Sequence, residues 1–239
     1  GEKIHVTVPT GNFGNILAAY FAKQMGVPID KLLCASNDNR VLYDFFVTGT
    51  YDKKREFLLT ISPSMDILIS SNLERLIYLS AGCSCEKTAQ MMASLAESGA
   101  YTISEDMRQQ MADFVGGFAD QQQDKDSIRR VYEDTGYVMD THTGVACAVY
   151  QNYRAKSGDE TKTVIASTAS PYKFSRSVME AIEGGSLPED EFQVIDQLRE
   201  ISGVEIPRAV EEIRFAPIRH TRTCRIDDMK RTVAEILGL

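Results

Sequence analysis

The first forty residues combine a β-branched run with helical spacing of apolar side chains. Ile4-His5-Val6-Thr7-Val8 predicts a strand. After a turn, apolar residues recur at intervals of three and four, which predicts a helix with one buried face: Ile16, Leu17, Tyr20, Phe21 and Met25. Gly26 and Pro28 end this helix, and residues 31–36 are apolar without alternation, as in a parallel strand covered on both faces. The pattern therefore predicts a βαβ unit.

The same spacing rules divide the rest of the chain. Asn37-Asp38-Asn39 is expected to cap a helix that ends at Gly49, and Asn72 is expected to cap another that begins at Leu73. Two more apolar runs, 57–61 and 162–166, predict strands. Amphipathic spacing predicts further helices over 88–96, 105–114, 141–153, 172–182, 190–201 and 227–237, with one more starting at Ile206-Pro207.

This order predicts an α/β fold with a mostly parallel sheet flanked by helices. Residues 83–135 are more polar, so we expect a mainly helical insertion there, with Gly116-Gly117 and the run 120–124 as solvated connectors. After Gly184-Gly185 the chain is acidic and amphipathic, which predicts a helical carboxy-terminal extension. The expected division is an α/β domain over 1–183, including the insertion, followed by the extension over 184–239.

The turn between the first strand and helix, residues 8–15, is the strongest candidate site. Pro9 ends the strand, and Gly11 and Gly14 are expected to allow backbone conformations closed to other residues and the close approach of a ligand. Free N–H groups at the helix start favour a phosphate or carboxylate, and Asn12 or Asn15 would add an amide donor. Neither a dinucleotide fingerprint nor a nucleotide P-loop is present. On spacing alone, a turn that binds nothing is an equally good interpretation.

Charge and cysteine content exclude several kinds of partner. The 34 acidic and 26 basic side chains give a net charge of −8 without a long basic run, which argues against nucleic acid. The five cysteines lack paired metal-ligand spacing, so reduced thiols and no metal site are expected. With no bilayer-spanning apolar stretch and no signal peptide, we expect a cytoplasmic protein without membrane attachment.

Polar groups also cluster at three other predicted element ends. Ser70-Ser71-Asn72 precedes a helix, where N-capping is the favoured interpretation and an anion or substrate contact is the alternative. His142 stands in a first helical turn, where a capping or supporting role is favoured over general-base work. Ser167-Thr168 ends a strand at the edge where α/β sheets meet ligands, although these hydroxyls could simply satisfy backbone groups.

Four motifs follow one another along the chain, at residues 9–15, 60–75, 140–143 and 167–174. Pro-Thr-Gly-Asn-Phe-Gly-Asn is the first and Ser-Thr-Ala-Ser-Pro-Tyr-Lys-Phe the last. Together they closely resemble threonine synthase, over nearly the whole chain from residue 3 onward. The resemblance implies a pyridoxal-phosphate lyase of the tryptophan-synthase-β fold type. It also implies conversion of the small-molecule substrate O-phosphohomoserine, with water, to threonine and phosphate in threonine biosynthesis.

The resemblance also assigns residues. The segment Gly11, Asn12, Phe13, Gly14 and Asn15 would hold the cofactor phosphate. Thr168 would give its hydroxyl to the pyridine nitrogen, with Ser167 a weaker candidate. The residues that would approach the substrate are Ser70, Ser71, Asn72 and Arg75. The family commonly has a histidine where Ser170 stands in this sequence.

One departure concerns the catalytic amine. The cofactor-binding lysine of the family lies in a Phe-Lys-Asp segment upstream of the phosphate turn, and this sequence contains no such segment; Lys173 stands in a different motif. The chain also starts at Gly1 with a strand almost at once. We therefore expect a carboxy-terminal fragment of threonine synthase that is inactive alone. The alternatives are a threonine dehydratase or cysteine synthase, and a non-catalytic module that binds a phosphorylated ligand. The oligomeric state is left open.

Overall fold

The computed structural model describes residues 1–239. Strand β1 (Ile4–Pro9), helix α1 (Gly14–Gln24) and strand β2 (Ile29–Ser36) form the predicted βαβ unit. The two strands are parallel, with Val6 opposite Leu32 and Val8 opposite Cys34. The predicted start of the fold is therefore confirmed.

The middle of the chain contributes helices and a small antiparallel ribbon. In chain order these elements are α2 (Val41–Thr48), β3 (Thr50–Asp52), α3 (Leu73–Ser80), α4 (Cys85–Glu97), β4 (Ala100–Thr102) and α5 (Glu105–Gln110). Strands β3 and β4 pair with each other, apart from the main sheet. Helix α2 ends at Gly49 with a φ of 76°, as predicted, because glycine adopts the left-handed conformation without strain.

The main sheet is completed by two later strands. These are β5 (Phe114–Phe118) and β6 (Thr163–Ile165), separated by helices α6 (Gln121–Thr135) and α7 (Thr141–Ser157). All pairings are parallel, in the order β5-β2-β1-β6. Neighbouring residues Cys34 and Ala35 of β2 belong to different hydrophobic clusters, so both faces of the sheet are covered. The predicted α/β class with a parallel sheet flanked by helices is confirmed.

Strand β5 corrects the prediction for Gly116-Gly117, which was expected to be a solvated connector. Both glycines lie inside the strand. A Cβ at Gly116 would lie 3.2 Å from the Tyr43 carbonyl oxygen of α2, and one at Gly117 would overlap Val149 of α7. Glycine is therefore needed because helices pack closely on both sides of the strand. The run 120–124 is also no connector, because Asp120 forms a capping box that starts α6.

Residues 57–61, predicted as a strand, belong to no regular element. The amide of Asn39 pairs with this segment instead, donating to the Leu58 carbonyl at 2.8 Å and accepting its N–H at 3.0 Å. Asn37 donates to the Thr60 hydroxyl at 2.9 Å. Helix α2 consequently has Arg40 as its N-cap without a side-chain capping bond, so the predicted capping role of 37–39 is wrong.

The carboxy-terminal third is helical. Helices α8 (Ser175–Ile182) and α9 (Glu191–Ser202) lie in one compact unit with the sheet, residues 1–204. A second unit, 205–239, contains α10 (Arg208–Arg214) and α11 (Met229–Leu237). The division thus lies after Val204, beyond the expected boundary at 183/184. No helix is both long enough and apolar enough to cross a membrane.

Candidate functional site

The turn after β1 owes its shape to Phe13 rather than to its glycines. Phe13 is the N-cap of α1 and has a φ of 64°, whereas neither Gly11 nor Gly14 has a positive φ. Its ring is 1% exposed and packs against Phe46 and Phe114, with centroids 6.1 and 5.8 Å away. The expectation that the two glycines adopt the special conformation is therefore wrong. Aromatic packing holds Phe13 in a conformation that non-glycine residues rarely adopt.

Helix α1 starts without any side-chain cap. The N–H groups of its first turn have no partner within the helix, and the positive end of the helix dipole lies at the same place. An anion at this position would accept hydrogen bonds from these groups.

Gly11 is required for a close contact with a distant segment. A Cβ on this residue would lie 2.6 Å from the Ser64 carbonyl oxygen, too close for any side chain. The Ser70 hydroxyl donates to the Gly11 carbonyl at 2.7 Å. The backbone N–H and hydroxyl of Ser71 both donate to Oδ1 of Asn12, also at 2.7 Å. Residues 64–71 therefore fold over the turn.

These bonds correct the favoured capping interpretation of Ser70-Ser71-Asn72. Asn72 is the N-cap residue of α3, but its side chain makes no capping bond. The two serines bind the turn at 11–12 instead.

The turn forms one wall of a cavity of about 300 Å³. The predicted cofactor segment Gly11, Asn12, Phe13, Gly14 and Asn15 lines this cavity together with Thr168. The remaining lining residues come from β1, α1 and three later segments: Val8, Pro9, Thr10, Ile16, Ser64, Met65, Asn72, His142, Ala169 and Lys173. The structure thus brings together residues that are more than 150 positions apart in the sequence.

The predicted substrate residues do not all reach this cavity. Asn72 lines it, with its Nδ2 3.7 Å from the position a Cβ on Gly14 would take. Ser70 is 5% exposed and supports the turn from behind. Arg75 lines a different cavity of about 580 Å³ between α1, α3 and α4, beside Tyr78 and Cys85. Ser167, the weaker cofactor candidate, has its hydroxyl 3.3 Å from the hydroxyl of Thr143.

His142 lines the cavity with both ring nitrogens engaged. Nδ1 lies 3.0 Å from Oδ1 of Asp140, and Nε2 accepts the backbone N–H of Ser64 at 3.1 Å. The Nε2 lone pair is therefore occupied, which favours the predicted supporting role over general-base work. His142 fixes Ser64, the residue against which Gly11 packs.

Asp140 anchors this histidine. It caps α7, accepting the N–H groups of His142 and Thr143, and its other oxygen accepts the Thr143 hydroxyl. Although burial opposes ionisation, the hydrogen bonds from His142 and Thr143 hold the pKa of Asp140 below its usual value.

Lys173 is the lining residue that sequence reasoning set aside. It lies in a short 3₁₀ turn, Pro171–Phe174, that follows Thr168. The signal was its spacing, because a lysine five residues after a strand-end hydroxyl and just after a proline returns to the same edge of the sheet. The motif around Lys173 indicates no partner for its amine. The structure shows that Lys173 lines the same cavity as residues 11–15 and Thr168.

Comparison with known proteins indicates the family of the chain. Residues 143–214 match the family described as "Threonine synthase, C-terminal". A curated relative from Macaca fascicularis, threonine synthase-like 1, is 40% identical over 185 residues, or 77% of this chain and 24% of that protein. The crystal structure of threonine synthase from yeast matches with a TM-score of 0.82 and 29% identity, covering 99% of this chain and 48% of that one. The chain belongs to the threonine synthase family.

A second threonine synthase structure, the pyridoxal-phosphate-bound enzyme from Brucella melitensis, matches with a TM-score of 0.72 and 34% identity. It covers 85% of this chain and 42% of that one. The chain therefore spans less than half the length of the threonine synthases it matches, and about a quarter of the threonine synthase-like relative.

Proposed function

We propose that this chain forms the cofactor-holding part of a pyridoxal-phosphate-dependent threonine synthase. The reaction proposed for the complete protein is the conversion of O-phosphohomoserine and water to threonine and phosphate. One observation carries the proposal: the amide-rich turn 11–15 and the Thr168 hydroxyl line the same cavity. A cytoplasmic location stays a prediction.

The cavity residues fit a phosphorylated pyridine. The uncapped start of α1 offers N–H groups to a phosphate, and Thr168 offers a neutral hydroxyl to a ring nitrogen. No carboxylate lines the cavity, so nothing there repels an anion despite the net charge of −8. A volume of about 300 Å³ is at the lower end of the range for small-molecule sites. The Brucella melitensis relative is described as bound to this cofactor.

Each residue then has a distinct role. Residues 11–15 would bind the phosphate, and Thr168 would orient the ring without placing a negative charge beside it. Bound pyridoxal phosphate supplies an electron sink for reactions at the carbons of an amino acid. His142 and Ser70 keep the cavity wall in place through Ser64 and Gly11. Contacts of Ser70, Ser71, Asn72 and Arg75 with the substrate stay predictions.

We further propose that turnover requires a lysine amine in addition to residues 1–239. The sequence contains no Phe-Lys-Asp segment, which carries the cofactor-binding lysine in the family it resembles. A chain of residues 1–239 is accordingly expected to bind the cofactor without releasing phosphate from O-phosphohomoserine.

The test of cofactor binding uses Gly14, where a side chain would meet nothing closer than the Asn72 amide at 3.7 Å. Gly14→Asp places a negative charge at a helix start, where it favours folding but repels a phosphate. We expect it to weaken pyridoxal phosphate binding about tenfold or more by absorbance titration. The matched neutral control, Gly14→Asn, should bind far better. Equal affinities for the two variants would refute the assignment of the turn.

The reaction is tested in the complete protein by following phosphate release and threonine formation from O-phosphohomoserine. Cofactor binding with turnover of threonine or O-acetylserine instead would favour a dehydratase or cysteine synthase. Cofactor binding without any turnover would favour a non-catalytic module.

A further inference from the structure

The cavity beside the turn contains a single cationic side chain. Lys173 is the one lysine or arginine among its sixteen lining residues, and no aspartate or glutamate accompanies it. The chain as a whole has eight more acidic than basic groups, so the charge of this cavity is opposite in sign to the net charge. Lys173 thus has a charge suited to an anionic ligand at this edge of the sheet.

The Lys173 side chain lies beside an aromatic ring at the edge of the cavity. Its backbone N–H donates to the Ser170 carbonyl at 3.0 Å within the 3₁₀ turn. Its ammonium lies 5.3 Å from the centre of the Phe174 ring, and that ring lies 4.8 Å from the ring of His142. His142 is in turn fixed by Asp140 and Ser64. The ammonium of this exposed residue thus lies within cation–π distance of an aromatic ring, which leaves its charge available to a ligand.

The proposed reaction brings two phosphate groups to this region. The uncapped amides of α1 suit the cofactor phosphate, as argued above. The proposed substrate carries a phosphate of its own, and two multiply charged anions in one small cavity repel each other. A cation between them or beside the second one lowers this repulsion, and Lys173 is the lining side chain with that charge.

We propose that the Lys173 ammonium binds the phosphate group of the substrate, and the released phosphate, while the turn 11–15 binds the cofactor. This inference rests on the proposed function and adds a substrate-binding residue to it. A lysine suits this role because its ammonium donates up to three charge-assisted hydrogen bonds to phosphate oxygens.

The test measures binding to the complete protein saturated with pyridoxal phosphate, so that the cofactor fills its own anion site. Inorganic phosphate and L-homoserine are titrated separately by calorimetry. We expect Lys173→Gln to weaken phosphate binding about tenfold or more, with homoserine affinity changed less than about twofold. Lys173→Arg should restore most of the phosphate affinity because it restores the charge. The control is Lys162→Gln, an exposed lysine paired with Glu2 at 3.0 Å, which should change neither.

Several results would overturn the inference. Unchanged phosphate affinity in Lys173→Gln would remove Lys173 from the site. An equal loss for homoserine would assign the ammonium to the substrate carboxylate, and a loss of cofactor affinity would assign it to the cofactor. Borohydride treatment that joins pyridoxal phosphate covalently to Lys173 would show that it is the attachment lysine. The proposed function fails by a separate result, in which the Gly14→Asp and Gly14→Asn variants bind pyridoxal phosphate equally well.

Discussion

Asp124 of helix α6 offers a quantitative test of the packing behind the candidate site. Its side chain is buried at 1% exposure, and neither carboxylate oxygen has a hydrogen-bond partner. It lies against Gly144 in the first turn of α7, where any Cβ would overlap Oδ1. Burial, with a smaller contribution from the charge of Asp140, raises the pKa of Asp124 to about 8. The folded protein therefore holds a proton there that the unfolded chain releases near pH 4.

The sign and size of the effect follow from this difference. Between about pH 4 and pH 8 the folded state binds one proton more than the unfolded state, so stability falls as the pH rises. The slope for one proton is about 1.4 kcal/mol per pH unit. In Asp124→Asn this slope is absent. The free energy of unfolding of the variant should therefore rise by on the order of 3 kcal/mol relative to that of wild type between pH 5 and pH 7.5. Burying an amide in place of the carboxyl adds a further difference that does not depend on pH.

The assay is urea denaturation followed by circular dichroism at several pH values. Asp126→Asn, on the exposed side of the same helix, controls for the loss of one negative charge. A stability difference between Asp124→Asn and wild type that stays constant or shrinks as the pH rises would refute the reasoning. Asp124 would then be ionised in the folded protein and would have a partner.

Two further changes test the site itself. In Gly11→Ala the new Cβ would lie 2.6 Å from the Ser64 carbonyl oxygen, so the Ser64 backbone must move. We expect the free energy of unfolding, measured by urea denaturation, to fall by about 1–3 kcal/mol. The control is Gly14→Ala, whose Cβ would lie 3.7 Å from the nearest atom, on Asn72, and which should not destabilise the protein. Because the pKa of Asp140 is lowered, its stabilising contribution is full above the unfolded value of about 4 and is lost as the pH falls through the folded value. The stability advantage of wild type over Asp140→Asn should therefore shrink from pH 5 to pH 3; an advantage that grows would contradict this.

Local signals in the sequence predicted most elements correctly. The β-branched run before Pro9, the Asp140 cap and Gly49 each determine their own backbone through neighbours a few residues away. Local composition also singled out the glycine-containing turn 11–15 and the strand-end hydroxyl of Thr168, and both line one cavity, while their cofactor contacts stay a prediction.

The errors came from residues whose partners are far along the chain. Asn39 resembles a helix cap, but it binds Leu58, which no local rule detects. Gly116 and Gly117 resemble a loop until the helices packed against them are known. Arg75 is only three residues from Asn72, yet the turn of α3 points them to different cavities. The conformation of Phe13 likewise depends on rings contributed by α2 and β5.

Ser70 and Ser71 hold the Gly11-Asn12 turn from 59 positions away. The sequence of residues 9–15 is consequently not enough to form this turn in another protein. A peptide or a grafted loop with the same seven letters would lack the hydroxyls that orient it and the Ser64 backbone that presses on it. Designers who wish to move this turn to another scaffold must move residues 64–72 as well.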